Sequence, residues 1–230
     1  MHIPDGYLSP QTYIPLIGAF VGVAAIAVRK VKKEVSVKNI PYLGMAAAFS
    51  FLIMMFNLPI PGGTTGHAVG SAVIAIILGP WATVIAVSVA LIIQALIFGD
   101  GGITCIGANC FNMAIFMPFV AYYLFKLIRM NSQKPLRIFS AAFVAGYLSL
   151  VLASILTATE LGLQPLIAVS AEGKALYCPY DLSIAIPAMA LEHLVLFGIA
   201  EGLVTAFVVR YFFSKNPSMI YAISRGKQNE

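Results

Sequence analysis

Residues 68–98 read AVGSAVIAIILGPWATVIAVSVALIIQALIF and decide how often the chain can cross a membrane. These 31 residues contain no charged side chain. As one helix they would measure about 46 Å, which is too long for a bilayer core of about 30 Å without strong tilt. The run also contains Gly79 followed by Pro80, a combination typical of a helix stop and a first-turn proline. We therefore predict a short piece, 68–78, and a full span, 80–98, which form either two crossings or one crossing plus a re-entrant piece.

The remaining sequence is typical of a protein whose solvent is lipid. Of 230 residues, 60% are hydrophobic and 10% are charged, and the mean hydropathy is +0.92. Soluble domains usually carry about a quarter charged residues. The sequence predicts an all-α integral membrane protein, a single membrane domain over 1–230, with about seven helices and an N-terminal tail, 1–11. The predicted spans lie near 12–28, 39–57, 68–78, 80–98, 110–128, 137–158 and 184–213.

The 14 basic residues predict the orientation of these spans. Cytoplasmic loops carry an excess of Lys and Arg. With seven spans and the N-terminus outside, every basic residue except Lys174 falls in the cytoplasm, including Lys38, Arg225 and Lys227. If 68–98 were one span, the basic loop around Arg129 would face outward. The net charge of +5 is thus explained by topology, which argues against nucleic-acid binding.

Four segments are predicted at the outer face: the tail and the loops 58–67, 99–109 and 159–183. Two of these loops, 58–67 and 99–109, are rich in Gly and therefore suit tight turns and close backbone approach. Each alone can be a plain turn. Their position beside a short polar tail favours loops that fold over a bound group.

His2 has an unusual position next to the chain terminus. The Met1 amine, the His2 amide nitrogen after loss of its proton, and the His2 imidazole can close two fused chelate rings around one metal ion. Three nitrogens in one plane suit metals with a square-planar preference, Ni(II) and Cu(II). His67 lies on the same face and would complete the square. Without a metal, His2 would be a solvated tail residue and His67 a helix-start residue.

The last predicted span contains the ionisable residues Glu192, His193 and Glu201. Ionisable side chains inside membranes are functional candidates. Hydrogen bonds between helices or contacts with a partner protein are equally compatible with them.

The remaining motifs exclude several kinds of chemistry. Cys105, Cys110 and Cys178 lack the spacing of a thiolate metal site, although Cys105 and Cys110 could form a disulfide in an oxidising compartment. The sequence has no HExxH motif, phosphate loop or dinucleotide fingerprint, so this chain is not expected to hydrolyse ATP. An N-terminus without basic residues before Arg29 is unlike a signal peptide, so we expect Met1 to be the first residue of the working protein.

Three segments resemble one known family over essentially the whole chain. The opening MHIPDGYLSP at 1–10, the loop PGGTTGH at 61–67 and the closing HLVLFGIAEGLVT at 193–205 look like the CbiM/NikM family. Its members are substrate-binding (S) components of energy-coupling-factor nickel and cobalt transporters. The opening is highly specific because few proteins place these residues at the initiator methionine.

The resemblance implies an S-component fold with an extra N-terminal span and a tail inserted toward the centre. The implied metal ligands are the Met1 amine, the His2 amide and imidazole, and the His67 imidazole. The implied partners are a transmembrane coupling (T) protein, two ATPase subunits and often a small accessory membrane protein. The implied location is the prokaryotic plasma membrane, with the C-terminus in the cytoplasm. Some cobalt-type members carry a signal peptide before this opening, and its absence here is compatible with a nickel-type member.

We therefore expect Ni(II) capture for ATP-driven uptake, with the metal as substrate and with no cofactor. Co(II) uptake for cobalamin synthesis and a self-sufficient metal permease are the alternatives. An intramembrane enzyme is disfavoured because a planar four-nitrogen site leaves no open equatorial position. The ordinary pKa values of an α-amine and of His predict release of more than one proton per metal, and weaker binding at pH 6 than at pH 8. We also expect the tail to bury little surface.

Overall fold

The computed structural model describes residues 1–34 and 40–224, and within them the chain is mostly helical. The basic residues Lys38, Arg225 and Lys227 lie outside the described residues. The helices that correspond to predicted spans are α1 (Pro10–Glu34), α2 (Ile40–Met54), α3 (Ser71–Leu78), α4 (Pro80–Ile93, continued by a π-helical turn at Gln94–Phe98), α5 (Ile106–Arg129, with a π-helical turn at Phe111–Phe116), α6 (Pro135–Gly162, followed by Gln164–Ile167) and α7 (Leu182–Lys215, with a π-helical turn at His193–Phe197). A 3-10 turn at Pro217–Met219 and the short α8 (Tyr221–Ser224) follow.

Within the described residues, five helices are long and apolar enough to cross a membrane. These are α1, α4, α5, α6 and α7, whereas α2 has 15 residues and α3 has eight. Large apolar side chains such as Leu52, Ile97 and Phe207 are exposed on the helices, as lipid-facing residues are. Each of the seven predicted spans thus corresponds to a helix, but two of these helices, α2 and α3, are short.

The predicted break at residues 79–80 is confirmed. Gly79 ends α3 and adopts a positive φ of 91°, and Pro80 is the first residue of α4. A Cβ atom at Gly79 would lie 2.9 Å from the Tyr221 ring, so only glycine fits there. The break allows α3 and α4 to point in different directions.

A small hairpin departs from the all-α prediction. Strands β1 (Leu58–Pro59) and β2 (Thr65–Gly66) pair antiparallel, with Leu58 opposite Gly66. The hairpin lies between α2 and α3, in the loop whose Gly and Pro content excluded a helix. It carries the segment that leads to His67.

Helix α1 is anchored at its N-terminal half, the half that follows the tail. Gly107 of α5 packs directly on Ile17 of α1, because a Cβ at Gly107 would come within 2.5 Å of the Ile17 Cα. Small residues permit such close helix contacts in membranes. Helices α1 and α5 thus both begin at the tail end, and both carry basic residues in their last turns.

Candidate metal site

The N-terminal tail lies inside the protein. Met1, His2 and Ile3 expose 1%, 3% and 0% of their surfaces. Asn109 binds both polar groups of the Ile3 backbone: its Oδ1 accepts from the Ile3 N–H at 2.8 Å, and its Nδ2 donates to the Ile3 carbonyl at 3.1 Å. The expectation that the tail buries little surface is therefore wrong. Its peptide groups are paired by a side chain more than a hundred residues away, which sequence spacing does not indicate.

The Gly-rich loop 99–109 folds over this tail. The Asp5 carboxylate accepts hydrogen bonds from Ile103 N–H at 3.0 Å and Thr104 N–H at 2.9 Å. The Thr104 hydroxyl also donates to it, and that bond is the main reason why the pKa of Asp5 is lowered. A Cβ at Gly102 would overlap the Asp5 backbone, so glycine is needed for this close approach.

The β1–β2 hairpin binds the tail from the other side. The Met1 amine donates to the Thr65 carbonyl and lies 3.2 Å from the Thr65 hydroxyl. The Thr64 hydroxyl donates to the His2 carbonyl. A neutral amine keeps a lone pair when its N–H groups donate. These contacts therefore hold the amine in place and leave it able to bind a metal.

His2 and His67, together called the histidine pair, stack with ring centroids 4.6 Å apart and an interplanar angle of 24°. His67 Nδ1 lies 3.0 Å from the Ala68 carbonyl. That carbonyl can only accept, so Nδ1 carries the proton and Nε2 holds an unshared pair. Among the described residues, His67 Nε2 and both ring nitrogens of His2 have no hydrogen-bond partner. Buried polar atoms normally have one, so these nitrogens fit a metal that accepts their lone pairs.

Burial disfavours the protonated forms of these donors. Burial first, and then the charge of the α-amine, lower the pKa of His2 to about 3. Burial also lowers the pKa of the Met1 amine well below 8.0, although Asp100 opposes this effect. The pKa of His67 is lowered well below 6.5 by burial, then by the amine and His2, with a smaller contribution from His193. Neutral amine and imidazole groups are the forms that bind metals.

Asp100 is a site residue that the sequence analysis did not single out. Its Oδ1 lies 3.4 Å from His2 Nδ1, and its Oδ2 accepts from Asn57 Nδ2 at 3.2 Å. Burial raises the pKa of this carboxyl group, and the nearby α-amine opposes the rise. Asp100 is the only acidic residue of the loop 99–109, and that singular charge was the available signal.

His193 lies beneath the hairpin and near the histidine pair, so the pair is less isolated than the sequence analysis assumed. Its Nδ1 is 2.7 Å from the Met189 carbonyl, and its Nε2 has no partner within the described part of the chain. One helical turn to either side, α7 touches the hairpin: Met189 packs on Gly63, and Phe197 packs on Gly66. His193 therefore faces the backbone between these two glycines.

The two acidic residues of the last span have different surroundings. Glu201 is fully buried, and its carboxylate accepts from the backbone N–H groups of Val69 and Gly70. Glu192 is half-buried, and its Oε2 has no partner among residues 1–34 and 40–224. Helix α3 begins at Ser71, so His67 is not a residue of that helix start.

The three cysteines form no disulfide in the described part of the chain, where all of them lie buried as free thiols. The bridge considered between Cys105 and Cys110 is therefore absent. Burial raises the pKa of Cys105 to about 11 and also raises that of Cys178, so these thiols are poor nucleophiles at neutral pH. The cysteines contribute to packing: Cys105 and Cys178 lie in one apolar cluster with Ile3 and Leu8.

No group of three or more His, Cys, Asp or Glu side chains placed to hold a metal occurs within residues 1–34 and 40–224. A site that takes two of its four ligands from the Met1 amine and the His2 amide does not need such a group. The histidine pair would supply the two side-chain nitrogens of such a site.

The long apolar helices and the buried inserted tail define a multi-pass helical membrane protein. Residues 2–219 match the family model described as the cobalt uptake substrate-specific transmembrane region, CbiM. The chain belongs to the CbiM family, which confirms the resemblance seen in the sequence.

Relatives of the chain are named as metal transport proteins. A fused nickel transport protein, NikMN, of Rhodobacter capsulatus is 49% identical over 221 residues, which are 96% of this chain and 64% of that protein. The chain thus spans less than two thirds of that relative. A putative metal transport protein of Methanocaldococcus jannaschii is 45% identical, with 95% of this chain and 94% of that protein covered. A crystal structure of a truncated transition metal transporter matches with a TM-score of 0.89 and 47% identity, covering 94% of this chain and 99% of that one.

Proposed function

We propose that the chain captures a divalent transition metal, Ni(II) before Co(II), at the outer membrane face as the substrate-specific subunit of an ATP-driven uptake transporter. The observation that carries this proposal is the buried histidine pair, whose unpartnered nitrogens lie beside the Met1 amine. The metal is the transported substrate. It is held by the Met1 amine, the His2 amide and Nδ1, and His67 Nε2.

Nickel is favoured over cobalt by the chemistry of this donor set. A deprotonated amide and a planar array of four nitrogens suit Ni(II), whereas Co(II) prefers more ligands. Three relatives named for nickel are 49%, 46% and 37% identical to this chain, and one named for cobalt is 35% identical. Cobalt is the second candidate because the family model itself is named for cobalt uptake.

The chain forms one membrane domain with seven crossings, its N-terminus outside and its C-terminus in the cytoplasm of a prokaryotic cell. Support comes from the basic residues in the last turns of α1, α5 and α7, the ends remote from the tail. Helix α3 is only about 12 Å long, so its crossing is completed by the hairpin that precedes it.

A transmembrane coupling protein and two ATPase subunits, often with a small accessory membrane protein, power transport. The chain has no phosphate loop of its own, which supports this division of labour. A self-sufficient permease is the alternative, and metal flux through vesicles that contain this chain alone would favour it.

The test uses the untagged N-terminus and a C-terminal purification tag. We expect one Ni(II) per chain, and we expect it to be diamagnetic because a square-planar field pairs its electrons. A paramagnetic, six-coordinate Ni(II), or no stoichiometric nickel, would overturn the proposed site. Parallel titration with Co(II) ranks the two substrates.

A further inference from the structure

Glu201 has no part in the ligand set, yet its buried carboxylate accepts three backbone hydrogen bonds. Its Oε2 accepts from Val69 N–H at 2.8 Å and from Gly70 N–H at 2.9 Å, and its Oε1 accepts from Ala72 N–H at 3.4 Å. Ala72 lies in the first turn of α3, where a helix leaves its first amides unpaired, and Gly70 and Val69 are the two residues directly before that helix. The Gly70 cap supplies no side chain, so the α7 carboxylate satisfies them from across the bundle.

The Val69 N–H belongs to the same peptide group as the Ala68 carbonyl. That carbonyl accepts the proton of His67 Nδ1 at 3.0 Å. One planar peptide unit therefore has Glu201 on its N–H side and His67 on its C=O side. A hydrogen bond to an anionic acceptor polarises the peptide and strengthens the carbonyl as an acceptor.

We propose that Glu201 is a positioning residue for the metal ligand His67 and acts through the Ala68–Val69 peptide. Metal-binding histidines commonly give their other N–H to a carboxylate or a carbonyl, which fixes the tautomer and orients the ring. Here the Glu201 carboxylate does not contact the His67 ring directly but acts through one intervening peptide group. It holds the peptide plane, and it keeps the His67 proton on Nδ1 so that the Nε2 lone pair faces the site.

Other contacts restrict the same turn, so that the peptide has one orientation. Ser50 Oγ donates to the Val69 carbonyl at 2.8 Å, and Ser71 Oγ donates to the Met113 carbonyl at 2.9 Å. Gly70 takes a positive φ of 73°, and a Cβ there would lie 2.6 Å from the Phe49 ring. None of these contacts is charged. The Glu201 carboxylate is therefore the group whose removal tests whether Glu201 acts on His67 through the Ala68–Val69 peptide.

The test substitutes Glu201→Gln, which keeps the shape but turns an N–H donor or a weaker acceptor toward the amides. Glu192→Gln is the matched control, a carboxylate of the same span without these contacts. We expect Glu201→Gln to weaken Ni(II) binding about 10- to 100-fold and to shift the absorption of the bound nickel, with Glu192→Gln unchanged. In a His67→Ala background, the same substitution should alter the residual binding by the tail within about twofold.

Equal losses of Ni(II) affinity on Glu201→Gln in the native and the His67→Ala backgrounds, or no loss in the native background, would overturn the proposed action of Glu201 on His67. A second readout needs no metal: nitrogen NMR of ¹⁵N-histidine-labelled protein should show His67 protonated on Nδ1, with a mixed tautomer in Glu201→Gln. An unchanged tautomer also refutes the inference. If Glu201→Gln does not fold, Glu201→Asp supplies both readouts, because it keeps the charge but withdraws it by one methylene group.

Only the Ni(II)-binding measurement of this test rests on the proposed function. A native chain that binds no nickel would refute the function, while the tautomer measurement would still decide whether Glu201 acts on His67.

Discussion

Blocking or extending the N-terminus tests the proposed site at the chain terminus. If the Met1 amine is a ligand, acetylation removes its lone pair and one of the four donors. Extension does more, because the Met1 side chain is buried in the core and its amine is bound to Thr65. An added residue must displace Met1 from that position.

The structure gives the size of this effect. Exposing a buried Met side chain costs about 1.5–3 kcal/mol, and the lost hydrogen bond costs about 1 kcal/mol more. Together these correspond to roughly a 100- to 1,000-fold loss of the docked tail at 1.4 kcal/mol per factor of ten. The loss of the amine as a ligand adds to it. An extended chain should therefore hold almost no nickel, and it should unfold at a lower temperature than the native chain because Met1 no longer fills its place in the core.

The assay measures bound nickel per chain after purification through a C-terminal tag. The control is an N-terminal fusion with a cleavage site directly before Met1, so that cleavage restores the native amine and should restore binding.

A Gly inserted between Met1 and His2 supplies a second variant. Its tail then offers one amine, two amides and one imidazole, four nitrogens by itself, so any nickel it binds should no longer depend on His67. Equal nickel in the extended and native chains would refute the reasoning.

Three other predictions follow from the same donors. His67→Ala should abolish tight Ni(II) binding. His193→Ala should leave the spectrum of bound nickel nearly unchanged, because square-planar Ni(II) has no need of a fifth ligand. Equal spectral changes in the two variants would contradict this assignment. Burial revises the expectation from ordinary pKa values: it lowers the pKa of the Met1 amine well below 8.0 and that of His2 to about 3, so binding should displace fewer protons and depend less on pH between 8 and 6 than free groups imply. The unfolded chain takes up more protons, so the stability of the metal-free protein should fall as the pH drops below 8.0 for the amine and below 6.5 for His2, toward about 3. Calorimetry in buffers of different ionisation enthalpy measures the proton release, and a release at pH 6 that exceeds the release at pH 8 by about one proton or more would contradict the second prediction. Thermal unfolding against pH measures the stability.

The positions of the helices could be predicted from the sequence, because a helix that spans lipid requires a long apolar run. Apolar runs of span length became α4, α5, α6 and α7, and the Gly79–Pro80 break fell where those two residues require it. Element ends were less accurate: 137–158 became Pro135–Gly162, since no charge interrupts that run before Glu160. The π-helical turns could not be predicted, because they depend on neighbouring helices.

The site was only partly readable. His2 and His67 were identified because coordination chemistry assigns meaning to a histidine beside a free amine. Asn109 and Asp100 act through contacts with a tail about a hundred residues earlier, and one amide or carboxylate in a Gly-rich loop carries no periodic signal. The burial of the tail was missed for the same reason, because its Pro, Asp and Gly are residues of exposed turns.

The burial of the proposed site raises a problem of charge, which the proposed ligands would resolve. A divalent ion buried in a medium of low dielectric is costly unless opposite charge is close. The Met1 amine and both imidazoles bind as neutral groups, so they leave the charge of the metal unchanged. In the proposed site, loss of the His2 amide proton would remove one unit, and the Asp100 carboxyl group, 3.4 Å from His2 Nδ1, is placed to offset the other. A set of several carboxylates would instead leave the empty site highly charged. A ligand set of neutral donors and one deprotonated amide, with a single carboxyl group beside it, would therefore let the protein enclose an ion at a buried tail without a cluster of acidic residues, and Asp100 would act from the edge of the site rather than among the four nitrogens.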